Sequence, residues 1–160
     1  MSARDRLVEG GYTVVLCRGD VTYTDTRRGV APLLALLDNG TDVVGFTAAD
    51  RVVGKAAAFL YLRLGVAEVH ALVISEPAYD LLTAHGVSVT YDTLVPAIRN
   101  RAGDGFCPME TVTLPLTDPA EAEIAIRNRL AELMGANTPQ YLVFGQLKYR
   151  TLCPAGCIRS

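Results

Sequence analysis

Two periods run through the apolar positions of this chain, one of two residues and one near 3.6, and they predict strands alternating with helices. Residues 12–17 are a β-rich run. Gly19-Asp20 follows, and then the alternating run of residues 21–26. Two such runs around a Gly-Asp turn predict a β-hairpin. Gly29 to Pro32 open a helix with Leu33, Leu34, Leu36 and Leu37 as its stripe, and Asn39-Gly40 stop it. Residues 43–46 read as a short strand. Ala48-Ala49-Asp50 then lead into a helix over residues 51–64, with a wide apolar face from Val52 to Leu64 and Gly65 as its stop. A buried strand over residues 66–75 is followed by a helix that starts at Glu76-Pro77 and closes at His85-Gly86. Residues 87–91 are the next strand. From residue 98 to residue 110 the chain is Gly-rich and polar, which predicts a loop, and residues 112–114 a short strand. Asp118-Pro119 cap an amphipathic helix over residues 120–134, ended by Gly135. Beyond it, residues 141–144 suit an added strand or a docking segment, and residues 151–160 an exposed tail.

The order β-β-α-β-α-β-α-β-loop-α predicts an α/β fold: a three-layer α/β/α sandwich whose mixed sheet is mostly parallel, with an N-terminal antiparallel hairpin at one edge. Residues 1–135 form the expected domain and residues 136–160 a C-terminal extension. The length of 160 residues suits one domain, able to bury roughly 70% of its unfolded surface. Hydrophobic residues are 50% of the chain and charged ones 20%, with a mean hydropathy of +0.24, which excludes disorder. With 15 Lys+Arg against 17 Asp+Glu the net charge is -2, so no nucleic-acid partner is expected. No targeting segment is visible. The longest uncharged stretch, residues 133–147, is broken by Asn137, Pro139, Gln140 and Gly145 and falls short of the roughly 18 apolar residues of a membrane span. A cytoplasmic protein with reduced thiols at Cys17, Cys107, Cys153 and Cys157 is the expectation.

In parallel sheets ligands bind at the carboxyl ends of strands, often on helix N-termini. Three segments fall there. In residues 47–58, Arg51 and Lys55 stand four apart in the first turns of the expected helix, where the dipole disfavours cations by ~0.5–1 kcal/mol together. A bound anion would offset that cost. Asp50 can cap this helix, and Gly54 with the alanines after it permits close backbone approach. The alternative is a solvated flank beside a small-residue packing face. The loop with Asn100, Arg101, Cys107 and Glu110 gathers an amide, a guanidinium, a thiol and a carboxylate, and a thiol beside Arg101 and Lys55 would favour its thiolate. Its alternative is an irregular connection with a buried Cys107. Ser75 is an N-cap that can also line a pocket. There is no C-x-x-C and no H-x-E, so neither zinc nor another cofactor is expected.

Four blocks together resemble a prokaryotic family of unknown function placed in the cytidine-deaminase-like superfamily: Arg28-Gly29 with Pro32-Leu-Leu, Asp50-Arg51-Val-Val-Gly54-Lys55-Ala-Ala-Ala, Ile74-Ser75-Glu76 with Ala78, and Ile98-Arg-Asn-Arg101 with Cys107-Pro-Met-Glu110. The resemblance runs from about Tyr12 to about Met134 and implies a cytidine-deaminase-like fold. Zinc deaminases carry His or Cys, any residue, then Glu at the start of the second helix, and Pro-Cys-x-x-Cys at the start of the third. By element order Ala48-Ala49-Asp50 falls on the first motif and Ser75-Glu76-Pro77-Ala78 on the second, so the metal ligands are missing. A zinc-free domain holding a small anionic ligand, such as a nucleotide or phosphorylated metabolite, is the first expectation: Arg51, Gly54, Ser75, Asn100 and Arg101 bind. The second is a metal-free enzyme using Lys55 or Cys107 as nucleophile and Asp50 or Glu110 as proton carrier. A homo-oligomeric scaffold is the third, from the apolar residues 141–144.

Overall fold

The computed structural model describes residues 2–100, 103, 105 and 107–133. Two compact units divide the chain, Met1–Ala125 and Ile126–Ser160. In the second, only residues 126–133 are described, and they continue a helix. The expectations for Arg101, Cys153, Cys157, residues 141–144 and the tail lie outside the described residues.

The first unit begins with a helix the apolar pattern did not predict. Helix α1 (Ala3–Gly10) is closed at its start by a capping box: Ser2 Oγ accepts from the Asp5 N–H, and the Asp5 carboxylate accepts from the Ser2 N–H. Gly11, at φ +69°, ends it with its N–H donating to Leu7 O. Strands β1 (Val14–Arg18) and β2 (Val21–Asp25) then form the expected hairpin. Helix α2 (Ala31–Asp38) has Pro32 in its first turn, as predicted.

Strand β3 (Thr47–Val53) and helix α3 (Lys55–Leu64) correct the reading of residues 43–64. Residues 43–46 are not a strand, and residues 51–53 are not helical. Alanine and arginine favour helix, but here the segment hydrogen-bonds on both sides, to β1 and to β4 (Glu68–Ser75), and tertiary pairing overrides propensity. Helix α4 (Glu76–Ala84) and strand β5 (Ser88–Val95) follow as expected, β5 extending four residues past the predicted end. Residues 108–113 form a short helix, α5 (Pro108–Thr113), where a loop and then a strand were expected. Helix α6 (Pro119–Leu133) matches its prediction closely.

The five strands make one open mixed sheet in the order β2-β1-β3-β4-β5. Strands β3, β4 and β5 are parallel. Strand β1 is antiparallel to both neighbours, so the hairpin adds two antiparallel pairings, where one at an edge was expected. Strand alternation distributes the core. Val15 and Ala49, paired across β1 and β3, pack under Ala3 and Leu7 of α1. Val14, Leu16, Ala48 and Asp50 point to the opposite face, where Tyr61 of α3 reaches Asp50. On that same side Tyr79 of α4 meets Tyr91 of β5 edge-on. Ala48 and Ala49 of β3 are fully buried, the small residues that a strand between two close helix layers requires, and Ala58 of α3 is fully buried too. No helix among the described residues is long and apolar enough to cross a membrane.

Candidate functional site

A cleft of about 770 Å³ opens where β3 ends and α3 begins. Its walls come from the start of β1, the segment before α2, the end of β3, the first turn of α3, residues 98–99 and the start of α5. This is the carboxyl end of the parallel strands, the usual place for a ligand site in such a sheet. Asp50, Arg51, Gly54, Cys107 and Glu110 all line it. Lys55, Ser75 and Asn100 do not.

Asp50 sits mid-strand with its carboxylate toward α3. It accepts a 2.7 Å hydrogen bond from the Tyr61 hydroxyl and a 3.3 Å one from the Val52 N–H. Burial pushes its carboxyl up to about 6, against the opposing pull of Tyr61 and of the Val52 and Arg51 amides. Burial, with the Asp50 charge beside it, pushes the Tyr61 phenol well above its ordinary value, so Tyr61 is a fixed donor.

Arg51 is the next residue on the strand and so faces the other way. Its Nε donates to Tyr12 O at 2.6 Å and its Nη2 to Leu7 O at 3.3 Å. Leu7 O also takes the cap of α1, so the Arg51 cation closes the negative end of that helix. The shared helical face expected for Arg51 and Lys55 does not exist, because residue 51 belongs to a strand. Lys55 does open α3, but its Nζ donates to Leu114 O at 2.7 Å and lies 5.6 Å from the centre of the Phe59 ring. Leu114 is the C-terminal cap of α5, so this cation also serves a helix C-terminus.

Glu110 reciprocates. It projects from α5 to the start of α3, where its Oε1 accepts from the Ala56 N–H at 3.3 Å. Gly54, the N-cap of α3, offers no side chain for that task. A β-carbon at residue 54 would stand 2.8 Å from Glu110 Cδ, so glycine there makes room for the carboxylate. Glu110 is 2% exposed, and its Oε2 has no hydrogen-bond partner among the described residues. Burial pushes its carboxyl up, and the Ala56 and Lys55 amides oppose this.

Cys107 is half-buried and stands at the N-cap of α5, its N–H donating to Ile98 O at 3.0 Å. Ser75 is fully buried and caps α4 through the Ala78 N–H. Asn100 closes its own loop: its Oδ1 accepts from the Gly103 N–H at 2.8 Å, and its N–H donates to Gly105 O. Two arginines at the cleft were not singled out by sequence, Arg28 and Arg99. Arg28 makes no hydrogen bond or ion pair with any described residue and is exposed. Its sequence signal is the Arg28-Gly29 pair ahead of α2. Among the described residues no three His, Cys, Asp or Glu side chains are placed to hold a metal ion.

The family model of the domain of unknown function DUF1893 (TM1506) matches residues 2–130. A crystal structure of a DUF1893 family protein (TM1506) from Thermotoga maritima is similar at a TM-score of 0.71 and 29% identity, over 80% of this chain and 85% of that one. A search of the curated proteins found no match.

Proposed function

This chain belongs to the DUF1893 (TM1506) family, and on that premise we propose that its cleft binds a small anionic ligand such as a nucleotide or a phosphorylated metabolite. The observation that carries this reading is the meeting, in one 770 Å³ concavity, of the α3 start with two arginines, Arg28 and Arg99. Helix N-termini and guanidinium groups both favour phosphate, the second with planar, paired hydrogen bonds. The volume suits a molecule larger than a bare ion. Arg28 replaces Lys55 as the cation offered to the ligand, since Lys55 is held on α5.

The finer fold assignment belongs to this proposal. The zinc-free part of that assignment is supported by the helix starts themselves. Helix α3 opens Gly54-Lys55-Ala56 and α4 opens Ser75-Glu76-Pro77-Ala78, and neither carries a His or Cys. A second reading, a metal-free enzyme, draws support from Asp50, Cys107 and Glu110 lining one cleft with both carboxyls pushed toward their protonated forms. Lys55 has no place in that version.

Thermal unfolding of the full chain with nucleoside mono-, di- and triphosphates and with the parent nucleosides tests the first reading. A ligand at a hundred times its Kd stabilises by about 2.7 kcal/mol. Phosphate-bearing members should raise the Tm in the native chain and not in Arg28→Ala. No shift with any of them contradicts the proposal.

A further inference from the structure

The first turn of α3 faces the cleft with an N-cap that has no side chain and with no acidic residue of its own. The start of a ten-residue helix without a side-chain cap is a seat for an anion. That seat is filled by the protein itself, through Glu110 of α5. The fit is imperfect. At 3.3 Å the bond from Ala56 is long for a charge-assisted one. The second carboxylate oxygen, Oε2, is buried without any partner among the described residues, although a buried carboxylate oxygen is a strong acceptor. The carboxylate is also wedged against the backbone of Gly54, where any β-carbon would strike it. A group that is buried, half-satisfied and set on a helix N-terminus at the wall of a cavity behaves as a stand-in.

We infer that the ligand's anionic group, a phosphate or a carboxylate, takes the place of Glu110 on the first turn of α3, and that α5 shifts as the Glu110 carboxylate moves out to water. This rests on the reading of the cleft as an anion-binding site. Ligand and Glu110 then compete for the same N–H groups, which makes Glu110 a negative determinant of affinity although it lies in the site. The moving element is small: α5 spans six residues and is clamped at its two ends by its contacts with α3, Glu110 on the Ala56 N–H and Leu114 O on the Lys55 ammonium. Exchange of Glu110 for a ligand oxygen releases one end and leaves the other.

Calorimetric titration of the full chain with inorganic phosphate and with ADP at pH 7.5 tests this in the native protein, Glu110→Gln, Glu110→Ala and Arg28→Ala. Both Glu110 variants should bind at least tenfold tighter than the native chain, and Arg28→Ala should bind weaker. Glu110→Gln keeps the side-chain shape, so one interpretable variant remains if Glu110→Ala fails to fold by circular dichroism. Equal or weaker binding in the Glu110 variants, with Arg28→Ala still impaired, overturns the stand-in and leaves the cleft reading intact. Absence of binding in every protein overturns both. The amide resonance of Ala56 gives a second readout: it should shift in the native chain on adding ADP and be displaced in advance by Glu110→Gln.

Discussion

Asp50 shows how a single residue was legible in identity and not in setting. Its place in a chemistry-bearing block could be read from the sequence, but as the cap of a helix. In the structure it is a strand residue whose neighbour Arg51 points through the sheet to α1, so two adjacent charges serve opposite faces. No local pattern at residues 48–53 reveals that difference, because the pairing partners β1 and β4 are distant in sequence. The strand setting has a consequence for stability. With its carboxyl at about 6 in the fold against an ordinary value of 3.8, Asp50 favours folding when protonated. Its contribution is complete below about pH 4 and is lost as pH rises through 6, an effect on the order of 3 kcal/mol. Asp50→Asn keeps an acceptor for Tyr61 and removes the titration. Urea unfolding should show the variant more stable than the native chain by about 1–3 kcal/mol at pH 8 and nearly equal to it at pH 3.5. The same difference at both pH values would mean that Asp50 is not held as described. A half-buried carboxylate kept at such a cost is the kind of local compromise found at functional sites.

At the scale of elements, the long periodic helices and the hairpin could be read from the sequence, and the short elements could not. Helix α1 has only Ala3 and Leu7 as buried anchors, too few to mark a period, yet Ser2 and Asp5 at capping-box spacing and Gly11 were available as boundary signals. Helix α5 is six residues inside a Gly-rich stretch, and it stands because α3 holds it at both ends. The docking of α5 on α3 therefore depends on glycine at residue 54. Backbone strain is not the reason, since φ there is −96° and any residue adopts it; the reason is the space taken by the Glu110 carboxylate. Gly54→Ala should destabilise the native chain by about 1–3 kcal/mol, as overpacking does. In the Glu110→Ala background most of that loss should vanish, because the colliding group is gone. A double-mutant cycle by chemical denaturation reads the coupling, and additive effects of the two substitutions would contradict the described contact.

For the molecule as a whole, an opening hairpin and then alternation of strand and helix after residue 29 were enough to predict an α/β class with a mixed sheet. What the sequence could not supply was the convergence. The cleft gathers segments from residue 11 to residue 110, and its chemistry follows from which side of each element faces inward. Lys55 is tied to Leu114 O across the fold and Arg28 reaches the cleft from the segment before α2, and neither placement is legible locally. The central proposal is a small anion bound in this cleft at the start of α3. The most direct test is titration of the isotope-labelled full chain with ADP, followed by amide NMR. The account predicts saturable shifts concentrated at Gly29, Gly54, Ala56, Ala57 and Glu110, and their loss in Arg28→Ala. Shifts absent from these residues, or spread over exposed charges remote from the cleft such as Arg63 and Asp80, would contradict it.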